Sequence, residues 1–413
     1  MTSSVAATLA PNEALSLFRS VRRRSQKLAA PLVPEDTMLQ SMEDASPVKW
    51  HLAHTTWFFE EFILKPHDPG YRSPDDRFAY LFNSYYVPRH ARDKRAMVSR
   101  PDGSAVEEYR THVDEALARL VEAGHADAEE ISALVELGCH HEMQHQELLV
   151  TDLLNGFSYN PLLPAYRDPE PMPVTEEVPL SFSAHKGGLV EIGHDGSGFA
   201  YDCEGPRHRV WLEPFRMADR PVTNRDWIAF MEDGGYETAP LWLMDGWTCR
   251  GKEGWDAPLY WWRQDGAWWT YTLRGAQPVN LDAPVVHVSY YEADAFARWA
   301  GARLPTEAEW EVAFQDRPLR GNFLDSGLLR PLPEGGPWGD VWEWTQSPFT
   351  PYPGFRPPEG PIGEYNGKFM VNQYVLRGGS CATPAAQMRP TYRTFFYPHQ
   401  RWQMLGLRLA QDG

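Results

Sequence analysis

A helical bundle followed by an irregular α+β domain is the architecture this chain predicts, and three observations carry it. Four long stretches near the N-terminus keep a helical spacing of apolar residues; prolines crowd between 161 and 180; beyond position 200 most of the Trp, Tyr and Pro appear among short apolar runs. At 413 residues there is room for two or three domains. We place the first at 1–160, a proline-rich linker at 161–180 and the second at 181–413.

The spacing predicts helices over about 11–30, 46–65, 104–123 and 127–155, a set that packs as a four-helix bundle. In the second, Ser46-Pro47 reads as an N-cap followed by proline at the first helical position, and Trp50, His54, Trp57, Phe58 and Glu61 share one face. His54 therefore points inward. The fourth carries Leu134, Gly138, His141, His145 and Leu148 on one stripe. Four residues apart, His141 and His145 face one way and can share a metal, and two imidazoles on an apolar stripe need a partner. His54 on a facing helix supplies the third ligand of a three-histidine set.

The string His141-Glu142-Met143-Gln144-His145 also matches a zinc-protease pattern in which Glu142 would be the general base. On a helix, however, Glu142 is turned about 100° from His141, which fits a supporting or structural role equally well. We set the protease reading aside. Residues 71–102 form an irregular stretch whose aromatic content argues against disorder. Tyr85 and Tyr86 within it either cover the bundle or act as phenol donors beside a metal, and Arg89, Arg92, Lys94 and Arg95 either bind carboxylates or are solvated. Arg22-Arg23-Arg24 is expected to be a solvated face.

After the linker the chain predicts short strands, many turns and two clear helices, Asn224–Asp233 and Tyr290–Gly301. Thr306 with Glu309 is a capping-box pattern opening another short one. Trp255, Trp261, Trp262, Trp268 and Trp269 read as core or hairpin packing. Four cysteines, at 139, 203, 249 and 381, are too scattered for a metal knuckle or a disulfide framework and are expected to be small buried hydrophobes. A formal net charge of -17 argues against nucleic acid or an anionic membrane as partner. No apolar run approaches the roughly 20 residues needed to span a bilayer, and the N-terminus lacks a secretory pattern, so the chain is expected to be cytosolic, that is, cytoplasmic.

Several strings beyond the linker are more specific: Pro221–Asn224, Arg303–Glu311, Gly339–Thr345, Arg377–Ser380 and Gly406–Ala410. In this order they resemble the formylglycine-generating-enzyme (sulfatase-modifying-factor) fold over about 230 residues. That fold alone does not name a function. Formylglycine generation needs a reactive cysteine pair, and Cys381 has no second cysteine near it in sequence.

A DinB-like four-helix bundle with three histidines, joined to such a domain, is similar to the ergothioneine-pathway sulfoxide synthases. The strings that carry this are Asp44–His54, Phe82-Asn83-Ser84-Tyr85-Tyr86, His141–His145, Arg377–Thr383 and Tyr392–Phe396. The resemblance implies a non-haem Fe(II) enzyme that uses dioxygen to join a chalcogen donor to C2 of the imidazole of hercynine (Nα-trimethylhistidine). By it, His54, His141 and His145 are the iron ligands, with His51 and His140 structural. Gln144 binds the substrate imidazole, Tyr85 and Tyr86 lie near the iron as proton donors, and Phe395 and Phe396 close the pocket. Arg89 and Arg92 belong to the segment that holds the donor.

The chain departs from that pattern where Tyr86 runs directly into Val87-Pro88-Arg89-His90, a loop shorter by a few residues. The related selenoneine synthases couple hercynine with a selenosugar, a neutral donor needing fewer cationic anchors than γ-glutamylcysteine. The shortened loop tilts the expectation toward the selenosugar, with γ-glutamylcysteine or cysteine as the alternative. A non-catalytic binding module and the ovothiol branch, which couples at C5 of histidine, remain as further readings.

Overall fold

The computed structural model describes residues 9–84, 92–172, 177–333, 335–357 and 366–413. The chain divides after Tyr166 into two compact units.

The first unit is built on four long helices, α1 (Pro11–Ala29), α2 (Val48–Phe59), α3 (Gly103–Ala123) and α4 (Ala128–Ser158). Pro11 opens α1, where a missing N–H costs nothing, and Asp102 caps α3 by accepting from the amide of Ala105 at 3.1 Å. Phe18, Trp57, Phe59, Val113, Leu117 and Val135 meet in the core. At the crossing of α2 and α4 there is no space for a side chain on α4, because a Cβ on Gly138 would lie 2.5 Å from the Phe59 ring. Helix α2 starts one residue later than Ser46-Pro47 suggests: Pro47 is the N-cap residue, with no side-chain cap bond. Ser46 is engaged elsewhere, its amide donating to Asp152 at 2.9 Å and its hydroxyl accepting from Arg95 at 2.7 Å.

Past Phe59 the helix widens into a π-turn, Glu60–Leu64, before ending at His67. Glu60 is fully buried there and accepts from the hydroxyls of Tyr71, at 2.9 Å, and Tyr109. The widening moves Glu61 to a partly exposed site where it pairs with Lys65, so it does not continue the buried face of Trp50, His54, Trp57 and Phe58.

Among its described residues the second unit carries twelve short strands. They are β1 (Phe182–His185), β2 (Gly188–Ile192), β3 (His208–Leu212), β4 (Phe215–Ala218), β5 (Trp261–Gln264), β6 (Ala267–Thr272), β7 (Gly275–Pro278), β8 (Trp342–Pro348), β9 (Tyr374–Arg377), β10 (Thr394–Phe396), β11 (Leu405–Gly406) and β12 (Ala410–Asp412). They form sheets ordered β1-β4-β12, β10-β9-β8-β11, β2-β3 and β5-β6-β7, with β11 and β8 parallel and the other pairs antiparallel. Four α-helices accompany them among the described residues: α5 (Asn224–Glu232), α6 (Met244–Glu253), α7 (Tyr290–Trp299) and α8 (Glu307–Phe314). Thr306 caps α8 in a reciprocal box with Glu309, as its spacing predicts.

Helix α6 is absent from the sequence reading because Gly246 and Gly251 lower its helix propensity. Gly246 is required by packing, since a Cβ there would stand 2.8 Å from Tyr291. The tryptophan-rich stretch is a hairpin, with Trp262 opposite Trp269 and the Trp261 and Trp268 rings 5.7 Å apart. The strings that set this domain's pattern pair with one another in its core. Glu343 accepts from Arg408 at 2.9 Å and from the Trp310 indole at 2.6 Å, Glu311 from Arg377 at 3.0 Å, and Glu309 from Arg303 at 2.7 Å. A buried charge must be paired, so these pairs serve the fold.

Candidate metal centre

Helix α2 presents His54, and α4 presents His141 and His145 one turn apart. Their ring centroids lie 5.1 Å (His54–His141), 4.7 Å (His54–His145) and 4.6 Å (His141–His145) from one another. One ring nitrogen from each falls within 4.8 Å of the other two, a spacing that suits a shared metal ion. The His54 ring is stacked with Trp50 at 4.4 Å and with Trp57 at 5.3 Å. Its Nδ1 lies 2.6 Å from the carbonyl of Phe82, to which it donates, leaving Nε2 with the lone pair. Burial, then the neighbouring imidazoles, holds His54 and His145 well below the usual histidine range, and burial pushes His141 down to about 4. All three rings are therefore neutral donors at physiological pH.

Glu142 lies beneath this cluster, not in it. Its carboxylate accepts from Arg22 at 2.9 Å, from Arg110 at 3.0 Å and from the Ser25 hydroxyl at 2.5 Å. Burial alone would raise its pKa, but the two guanidinium groups overcome that and hold it at about 2. A carboxylate so occupied is not a general base. Arg22, expected on a solvated face, is the correction that follows. Its side chain is 3% exposed and also bonds Asp114 at 2.8 Å and Thr56 at 2.8 Å. The partners that draw it inward lie 34 to 120 residues away, out of reach of local pattern.

His51, read as structural, touches the cluster directly. Its Nδ1 is 2.8 Å from Nδ1 of His145, and its Nε2 is 3.3 Å from the Asp152 carboxylate. The available signal was its place one turn before His54 on the same buried face.

The remaining site residues fall as follows. Gln144 is half-buried on α4 beside His145. Arg92 opens a 3-10 turn, Arg92–Met97, and its guanidinium donates to the Asp44 carbonyl at 3.1 Å with the Asp44 carboxylate 3.8 Å away. Lys94 is paired with Asp93 at 2.8 Å. Arg95 is buried over the Trp50 ring at 3.5 Å, and burial pushes it down to about 9. Tyr85, Tyr86 and Arg89 lie outside the described residues. In the second unit, Phe395 on β10 stacks on Phe349 at 4.0 Å, and Phe396 meets the edge of Trp402 at 6.2 Å. Cys139, Cys203 and Cys381 are buried and Cys249 partly so; none forms a disulfide.

Another group of metal-type side chains, His67, His125 and Asp127, is nearer the surface. There Nδ1 of His125 already accepts from the Asp127 amide at 3.1 Å. The neutral trio, with His54 and His141 buried and His145 half-buried, is the better centre.

Residues 17–149 match the DinB superfamily, and residues 168–325 with 337–413 match the sulfatase-modifying factor enzyme 1-like domain. The protein is thus a two-domain chain, a DinB-type bundle with histidines in its interior ahead of a sulfatase-modifying-factor domain. The hercynine oxygenase of Mycobacterium tuberculosis is 34% identical over 401 residues, covering 89% of this chain and 91% of that protein. That of Mycolicibacterium thermoresistibile is 35% identical over 405 residues, 89% of this chain and 87% of the relative. The formylglycine-generating enzyme of Streptomyces coelicolor is 31% identical over 268 residues, 52% of this chain and 84% of the relative. The chain belongs to the hercynine oxygenase family.

Proposed function

We propose that this enzyme binds Fe(II) through His54, His141 and His145 and couples a chalcogen donor to C2 of the hercynine imidazole in a dioxygen-dependent reaction. The observation that carries the reading is the convergence of three neutral imidazoles, His54 and His141 buried and His145 half-buried, whose donor nitrogens lie within 4.8 Å of one another. The donor set fits the metal, because neutral nitrogen ligands suit Fe(II) and three of them leave positions open. When bound, the iron supplies dioxygen activation and a common point of attachment for the reactants.

The protein's own contribution is placement and enclosure. The Phe82 carbonyl orients His54, the stacked Trp50 and Trp57 restrain its ring, and Gln144 next to His145 is offered as the hydrogen-bonding partner of the substrate imidazole. Tyr85 and Tyr86, which follow three and four residues after Phe82, are offered as proton donors. Phe395 and Phe396 are offered as pocket-closing aromatics, and aromatic faces favour a trimethylammonium group by roughly 0.5–2 kcal/mol. Arg89 and Arg92 are offered as donor contacts.

For the donor, we favour a selenosugar. Arg92, Lys94 and Arg95 are each engaged within the first unit, by Asp44, Asp93 and the Trp50–Ser46 pair, which supports a neutral donor over a dicarboxylate. The second reading is a thiol donor, γ-glutamylcysteine or cysteine. It is favoured by the partial exposure of Arg92, whose bond to a carbonyl leaves it able to meet a carboxylate. Anaerobic Fe(II) loading, then hercynine, dioxygen and the three donors offered in parallel, separates these readings by product mass. A seleno-adduct formed preferentially supports the first and a sulfoxide adduct the second; no adduct from any donor removes the coupling reaction.

A further inference from the structure

Where Nδ1 of His54 meets the Phe82 carbonyl, Nδ1 of His145 meets another histidine, and that contact has a direction. Between the Nδ1 atoms of His51 and His145, 2.8 Å apart, a single proton is shared. If it sits on His145, the lone pair of His145 is on Nε2 and is available to a metal. If it sits on His51, a neutral His145 carries its proton on Nε2 and cannot bind through that nitrogen.

Asp152 decides between the two. Its Oδ2 accepts from the Ser46 amide at 2.9 Å and lies 3.3 Å from Nε2 of His51, with both side chains buried. A carboxylate oxygen only accepts, so Nε2 of His51 must be the protonated nitrogen. The neutral ring then has a bare Nδ1, which accepts from Nδ1 of His145. We propose that Asp152, acting through His51, fixes His145 in the tautomer with its proton on Nδ1 and its lone pair on Nε2, so that Asp152 and His51 are positioning residues of the metal centre. The inference rests on the three-histidine reading for its consequence, metal affinity, but not for the tautomer itself.

Asparagine separates hydrogen bonding from packing at both positions. At 152 its amide oxygen can take the acceptor place of Oδ2, and at 51 it can present an oxygen to His145, whereas leucine does neither. The test uses the full-length chain, metal-free and labelled in its histidine side chains, with ring protonation read by long-range proton–nitrogen NMR. It is paired with anaerobic Fe(II) and Zn(II) affinities measured by chelator competition. We expect His145 to carry its proton on Nδ1 in the wild type and to lose that preference in Asp152→Leu. Metal binding should weaken about 10- to 100-fold in Asp152→Leu and His51→Leu and return toward wild type in Asp152→Asn and His51→Asn.

Three results overturn the proposal: a wild-type His145 protonated on Nε2, leucine variants that bind metal as tightly as wild type, or asparagine variants as weak as the leucine ones. Should the leucine variants fail to fold, the wild-type spectrum still decides. A wild-type chain that takes up no metal removes the three-histidine centre instead, and the NMR result then stands apart from it.

Discussion

Nη1 of Arg22 donates to the Glu142 carboxylate at 2.9 Å across 120 residues of sequence, in a place where both side chains are almost wholly shielded from water. The glutamate of a metalloprotease-like string is thereby converted into the anchor that ties α1 and, through Arg110, α3 to the histidine-bearing α4. Its work is to keep two buried cations neutralised.

Glu142→Gln should therefore act on stability. Removing one partner of a buried ion pair leaves the other uncompensated, and we expect a loss of about 3–5 kcal/mol. Urea unfolding of the full-length variant checks this; a loss below about 1 kcal/mol would show the network to be dispensable.

Single alanine substitutions at His54, His141 and His145 should each weaken Fe(II) binding by at least about 100-fold, beyond the range typical of outer partners. Metal analysis after anaerobic loading and desalting gives the answer. Full iron retention by His141→Ala would break the ligand set.

Replacing Tyr85 and Tyr86 singly with Phe should show a proton donor. A positioned general acid contributes about 100-fold or more, so at least one variant should slow turnover or shift the product ratio by that order. If both leave rate and products unchanged, neither phenol takes part.

The second unit carries its own acid sensitivity. His287 is buried with Nδ1 donating to the Gln403 carbonyl at 2.9 Å, and burial holds its pKa at about 4, below the ordinary 6.5. Between those values the unfolded chain takes a proton that the folded chain refuses, so stability is lost as pH falls from about 6.5 toward 4, by up to about 3 kcal/mol. Asn tolerates the left-handed backbone at this position, where φ is 64°, and does not titrate. Melting curves of His287→Asn across that window should flatten relative to wild type.

The periodic parts of the molecule were legible. Four helices and the three histidines follow from spacing alone, because a buried stripe must repeat with the helical turn and two imidazoles on it demand a common purpose. Arg22 was misplaced. A polar side chain reads as exposed until its partner is known, and Glu142 reaches Arg22 only through the packing of different helices. Helix α6 escaped because Gly246 answers to Tyr291, not to local propensity. The Arg–Glu pairs of the second domain were visible as motifs, but only the fold shows that they face each other.

Gly138 gives the bundle a gauge. It lies one turn before His141 on α4, and Phe59, which its bare Cα admits, lies five residues beyond His54 on α2. The separation between the two ligand-bearing helices is thus set by a hydrogen atom where every other residue would place carbon. A single methyl at position 138 would push the helices apart and be felt as a longer reach between His54 and His141, turning a packing detail into a tolerance on coordination.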